Sequence, residues 1–253
     1  MNQKDIQEAI QSTYINAQRL LKDSKTLEKK GSFGSAVSLA ILGYEETMKA
    51  YQLAKYHPIF DGFFAKDDLI LLQKRLSSHF WKQAFALELR ISLEAIIDAL
   101  SEKERKEIGM PSRRELQEGT TFAITEKLEQ MKNDGFYVDA FRSPMWFPSA
   151  MNKTSVKFAQ QLLRTQLDSV KEVVRMLSQV DKIPEQEREN AKRELKEIAH
   201  SLRQVQKDEV NNLEDLDRRM EKHGVVGKII SSLARAYISD ERFKSFEKER
   251  RKD

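Results

Sequence analysis

Cysteine is absent from the 253 residues, which excludes disulfides, thiolate metal sites and a cysteine nucleophile. Glycine and proline are scarce, at 9 and 5, too few for the frequent turns of an all-β fold. The four histidines, His57, His79, His200 and His223, lie far apart without metal-ligand spacing, so neither a metal nor another cofactor is expected. No stretch approaches the ~18 apolar residues of a membrane span. The opening MNQKDIQEAIQ also lacks the apolar core of a secretion signal. A cytoplasmic protein without a membrane partner is the simplest expectation. Gly-rich phosphate loops and Gly-x-Ser-x-Gly elbows are missing too, which argues against an NTPase or a serine hydrolase.

What remains is charge and helical periodicity. Charged residues make up 33% of the chain, as long helices with solvated faces require. The 44 cations and 40 anions nearly balance, and a net charge of +4 permits nucleic-acid contact without demanding it. A hydrophobic share of 40%, with 13 Phe, 6 Tyr and 2 Trp, can fill a core. The chain reads as all-α.

Apolar spacing predicts a first helix over about 4–30, ended by Gly31, and a second over about 34–56, ended by Pro58. A third stretch runs from 66 to about 106, with a break near Ser77 and Ser78. Residues 107–152 are the least regular, with a helix over 121–132 and a loop over 133–150. A further helix covers 154–180. Pro184 then opens a highly charged helix that Gly224 ends, and its thin apolar stripe suits a projecting hairpin or coiled coil. Two domains are therefore expected: a helical bundle over 1–180 and a charged helical extension over 181–253.

The second helix is the most informative. From Gly34 to Ala54 its only charges are Glu45, Glu46 and Lys49. Val37, Ile41, Tyr44, Met48 and Tyr51 form one face, and Leu39, Leu42 and Leu53 lie nearly opposite, so protein should surround it. Charges there are costly unless paired. Glu45 and Lys49 stand four apart in the favourable order, which leaves Glu46 in need of another cation. The third stretch offers Arg75, His79, Lys82 and Arg90 within about a third of a helix circumference. Glu45 or Glu46 meeting this basic face would hold His79 between acid and base, a cluster able to bind phosphate and move a proton in RNA cleavage. The plainer reading is an ion-pair network tying two core helices together.

The segment over 133–150 carries Phe136, Tyr137, Phe141, Trp146 and Phe147. Tyr137, Asp139 and Trp146 could contact RNA or a partner by stacking. A hydrophobic plug between helices is the alternative, because a solvent loop is seldom so aromatic.

The run GSFGSAVSLAILGYEETMKA, then HFWK, then GFYVD and a proline-containing loop, resembles the AbiV family of abortive infection proteins. The family's Glu-Glu-x-x-Lys-Ala element is matched by Glu45, Glu46, Lys49 and Ala50. Its His-x-x-Lys element is matched by His79 and Lys82, and its Tyr-Val-Asp element by Tyr137, Val138 and Asp139. The resemblance covers about residues 10–180. It implies a HEPN-like helical bundle, a homodimer, a phage-encoded activator and RNA cleavage as a metal-independent ribonuclease. HEPN ribonucleases carry Arg, four to six residues, then His, whereas Arg75 and His79 enclose only three. Arg193 with His200 and Arg218 with His223 fit that spacing. They sit, however, on a charged helix and a basic helix end, where a solvated face accounts for them. A non-catalytic binding or sensor protein is the competing function.

Overall fold

The structure, a computed structural model, describes residues 3–54, 57, 100–110, 121–137, 148–180, 182–190, 192 and 193. Every regular element among them is helical: α1 (Gln3–Lys29), α2 (Phe33–Ala54), α3 (Glu102–Ile108), α4 (Thr121–Phe136), a 3-10 turn (Pro148–Ala150) and α5 (Lys153–Val180). No helix among the described residues is long and apolar enough to cross a membrane. The chain divides into two compact units, Gln11–Ala50 with Lys74–Val170, and Met1–Ile10 with Tyr51–Gln73 and Lys171–Asp253.

Periodicity accounts for α1, whose Ile6, Ile10, Ala17 and Leu20 are all buried. It stops because Gly31 adopts φ 77°, a left-handed conformation that costs glycine nothing. Ser32 N–H then donates to the Leu27 carbonyl at 2.9 Å and Gly31 N–H to that of Glu28 at 2.9 Å, which satisfies the last turn. α5 starts where Asn152 Oδ1 accepts from Ser155 N–H at 2.9 Å. Val156, Ala159, Leu163, Leu167 and Val170 then carry its buried stripe.

Two expected elements differ. The stretch expected to run to about 106 does not pass Ser101, which is extended (φ −63°, ψ 157°) and begins α3 with a capping box: its side chain accepts from Glu104 N–H, and the Glu104 carboxylate accepts from Ser101 N–H. The helix expected over 121–132 instead reaches Phe136, so residues 133–136 are helical rather than loop. A tertiary contact outweighs the turn preference of Asn-Asp-Gly there. Gly135 lies against the backbone of Gly34, and a Cβ added at Gly34 would stand 2.6 Å from the Pro148 carbonyl oxygen and 2.8 Å from that of Gly135. Ser38 Oγ donates to the Lys132 carbonyl at 2.6 Å across the same crossing.

In the unit built from Gln11–Ala50 and Lys74–Val170, α2 is the central helix. Gly34, Ser38 and Glu45 recur on one stripe and meet α4. Around the helix, the Ala36 carbonyl accepts from Ser24 Oγ of α1 at 2.7 Å, and Gly43 packs on Leu163 of α5 and Leu20 of α1. Among the described residues no α2 side chain is exposed, as the two opposed apolar faces require. In the other unit the ends of α1, α2 and α5 contribute buried Ile6, Ala54, Leu177 and Val180. Pro184 opens a helical stretch over 185–190, its carbonyl accepting from Arg188 N–H at 3.1 Å.

Candidate functional site

The polar centre of the α2–α4 crossing is Glu45, which is 1% exposed. A carboxylate so placed must be matched by a cation or donors, because its desolvation costs several kcal/mol, about the order of a protein's whole stability margin. Lys132 of α4 supplies the cation. Its Nζ lies 3.1 Å from Glu45 Oε1 and 2.8 Å from Glu129 Oε2, and the lysine is itself buried. Two carboxylates from different helices thus share one ammonium. The backbone of Lys132 is fixed as well, through the Ser38 hydroxyl.

Lys49 does not serve Glu45. It pairs with Glu46, three residues away, and both side chains are partly solvated, at 32% and 18%. Glu45 lies on the stripe turned toward α4, while the long lysine stem carries its head outward to the rim. The expected pairing of Glu45 with Lys49 is therefore replaced by Glu45–Lys132 and Glu46–Lys49. Beside this network the Tyr44 hydroxyl is fully buried and has no hydrogen-bond partner among the described residues, and burial pushes its pKa well above the usual phenol value.

His79, Arg75 and Lys82 lie outside the described residues, as do Asp139 and Trp146. Tyr137 is described: it is 66% exposed and stacks edge-on with Phe136, ring centres 6.2 Å apart, and Phe136 is 40% exposed. These two rings face solvent and do not plug the core. Arg193 is exposed and donates to Asn190 Oδ1 at 2.7 Å, in keeping with a solvated helix face. Among the described residues no group of three His, Asp or Glu side chains is arranged to hold a metal ion.

Sequence reasoning passed over Lys132 and Glu129. The signal was available: Leu128, Met131, Lys132 and Gly135 fall on one helix face, and a lysine set in an apolar stripe needs a buried acid. A shared ammonium between two carboxylates ties α2 to α4 and fixes the register of the two helices. Glu45 and Lys132 are both closed to solvent.

A family model described as AbiV, of the HEPN_AbiV type, matches residues 5–171. No curated protein matches the chain, and no solved structure does either.

Proposed function

The chain belongs to the AbiV family and carries its HEPN-type helical domain, and from that premise we propose that it is a phage-defence effector that stops growth of an infected cell. The supporting observation is the family match itself, which runs through α2 and its Glu45–Glu46–Lys49 element and on through the segment containing His79. In the catalytic form of this proposal, two copies form a cleft in which His79 transfers the proton of RNA cleavage. Arg75 and Lys82 hold the phosphate there, and Glu45 or Glu46 orients the cations. A phage-encoded protein provides the cue, and the cytoplasm is the site of action. Tyr137, Asp139 and Trp146 form the surface for RNA or partner. We further propose that residues 181–253 are an extension of the bundle formed by 1–180; a limited-proteolysis first cut well inside 1–180 would refute that division.

One observation favours a second reading. The described acid–base cluster is closed to solvent, with Glu45 and Lys132 both buried, which suits a helical protein that recognises a phage or translation component without chemistry. Purified chain incubated with total RNA, beside its His79→Ala variant, separates the two. The catalytic form requires cleavage that the substitution abolishes. Cleavage that survives it removes His79 from the mechanism, and intact RNA even in extract from infected cells leaves the binding form. Defence itself is tested by plating a phage panel on cells with and without the chain; equal plaque numbers throughout would dismiss it.

A further inference from the structure

Exposed residues of α1 recur at heptad spacing. Gln11, Gln18 and Lys25 stand seven apart, as do Ile15, Lys22 and Lys29, so the six make one stripe along the helix; all are exposed. Buried Ile10, Ala17, Leu20 and Ser24 mark the opposite side, where Ser24 Oγ accepts from Gln160 Nε2 of α5 at 3.1 Å. From Gln11 to Lys29 the stripe runs roughly 27 Å, at about 1.5 Å per residue.

Its charge is of one sign. Lys22, Lys25 and Lys29, with Lys30 just past the helix end, form no ion pair among the described residues. The acids of this stretch lie off the stripe and are engaged, Asp23 by Arg19 at 2.9 Å and Glu28 by Gln160 at 3.0 Å. Spacings of three and four set the lysines side by side, where like charges repel. The α1 dipole favours Lys29 and Lys30 at its C-terminal end but does not reach Lys22, two turns back. An external anion would offset that repulsion.

Which anion follows from the side-chain types. The stripe holds no arginine and no aromatic ring, the groups that grip phosphate bidentately and stack on bases. Lysine is also depleted in protein interfaces, whose centres favour arginine and aromatics. Ile15 is 54% exposed, one heptad before Lys22. Against a nucleic-acid backbone that apolar side chain gains nothing, whereas at the headgroup–acyl boundary of a bilayer it is buried. Lysine stems can reach anionic headgroups on a plane while α1 keeps its apolar side in the bundle. We propose that this stripe of α1 docks the chain peripherally on an anionic lipid surface. The contact needs no membrane-crossing helix and does not depend on the defence reading.

Sedimentation of the full chain with vesicles of equal parts phosphatidylglycerol and phosphatidylcholine tests this, beside vesicles of phosphatidylcholine alone. Binding should require the anionic lipid. It should fade as ionic strength rises from about 0.1 to 1 M, which shortens the screening length from about 10 to 3 Å. Each lysine near such a surface strengthens binding about fivefold, so Lys22→Gln/Lys25→Gln/Lys29→Gln should bind about a hundredfold more weakly. Its circular dichroism melt should not fall, since none of the three forms an ion pair among the described residues. Ile15→Ser should weaken vesicle binding with the charge intact. A control of equal charge change elsewhere, Lys171→Gln/Lys182→Gln/Arg188→Gln, should bind as the unaltered chain does. The proposal is overturned if the unaltered chain ignores anionic vesicles at the lowest ionic strength, or if the control loses as much as the triple variant. It is overturned too if either stripe variant binds the vesicles undiminished; a triple variant that instead lost affinity for oligouridylate would give the stripe to RNA.

Discussion

Lys132 holds two carboxylates at once, and this sets how its loss should appear. Lys132→Ala leaves Glu45 buried beside an empty space and should lower stability by about 3–5 kcal/mol. The double variant Glu45→Leu/Lys132→Met replaces charge by packing and should recover most of that loss. Urea denaturation midpoints decide it; a double variant no better than the single would show that the acid is not the source of the cost. Glu104 offers a second test. Its carboxyl is lowered to about 2, first by the Ser101 backbone hydrogen bond and then by those from the Lys157 and Ser101 side chains. A folded pKa below the unfolded value means that this stabilisation is complete above pH 4.5 and is lost as pH falls toward about 2. The carboxyl carbon shift of Glu104 should therefore titrate near 2, and a midpoint near 4.5 would rule the capping and bridging bonds out in solution.

Between α2 and α4 the limit on space is set by backbone rather than by side chains. Alanine for glycine inside a helix ordinarily gains ~0.5–1 kcal/mol. At Gly135 the added methyl meets the Gly34 carbonyl and Ser38 Oγ, so Gly135→Ala should cost about 1–3 kcal/mol. At Gly43 the obstruction is the Leu163 side chain, 2.6 Å away, which can shift, so Gly43→Ala should cost less. Chemical denaturation of both variants in parallel checks the order, and a reversal would mean that the crossing is looser than drawn. Helix extents were legible wherever apolar periodicity ran uninterrupted, as in α1 and α5. The start of α3 was missed, although Ser101 and Glu104 form a Ser-x-x-Glu box that marks a helix start. The last turn of α4 was not legible, because Asn-Asp-Gly favours a turn locally and only the distant backbone of Gly34 makes it helical. Likewise the partner of Glu45 could not be found by spacing along α2, since Lys132 is 87 residues away in sequence.

At the scale of the molecule, the all-α class and the family were readable from composition and a few short elements, and the family match extends over 5–171. Composition could not show how the charge is distributed. A net charge of +4 looks unremarkable, yet Lys22, Lys25, Lys29 and Lys30 are exposed and form no ion pair among the described residues, while buried Glu45 is matched by buried Lys132. Balance over the whole chain therefore coexists with a run of exposed cations along one face of α1.

The sealed phenol of Tyr44 makes the integrity of this unit visible in alkali. With its pKa raised by burial, the ring resists ionisation while the fold holds, and that resistance is lost as pH climbs past the ordinary tyrosine range. Absorbance of the phenolate should accordingly show the Tyr44 ring ionising together with unfolding. A Tyr44→Phe chain should lose that contribution to the absorbance change and better withstand high pH.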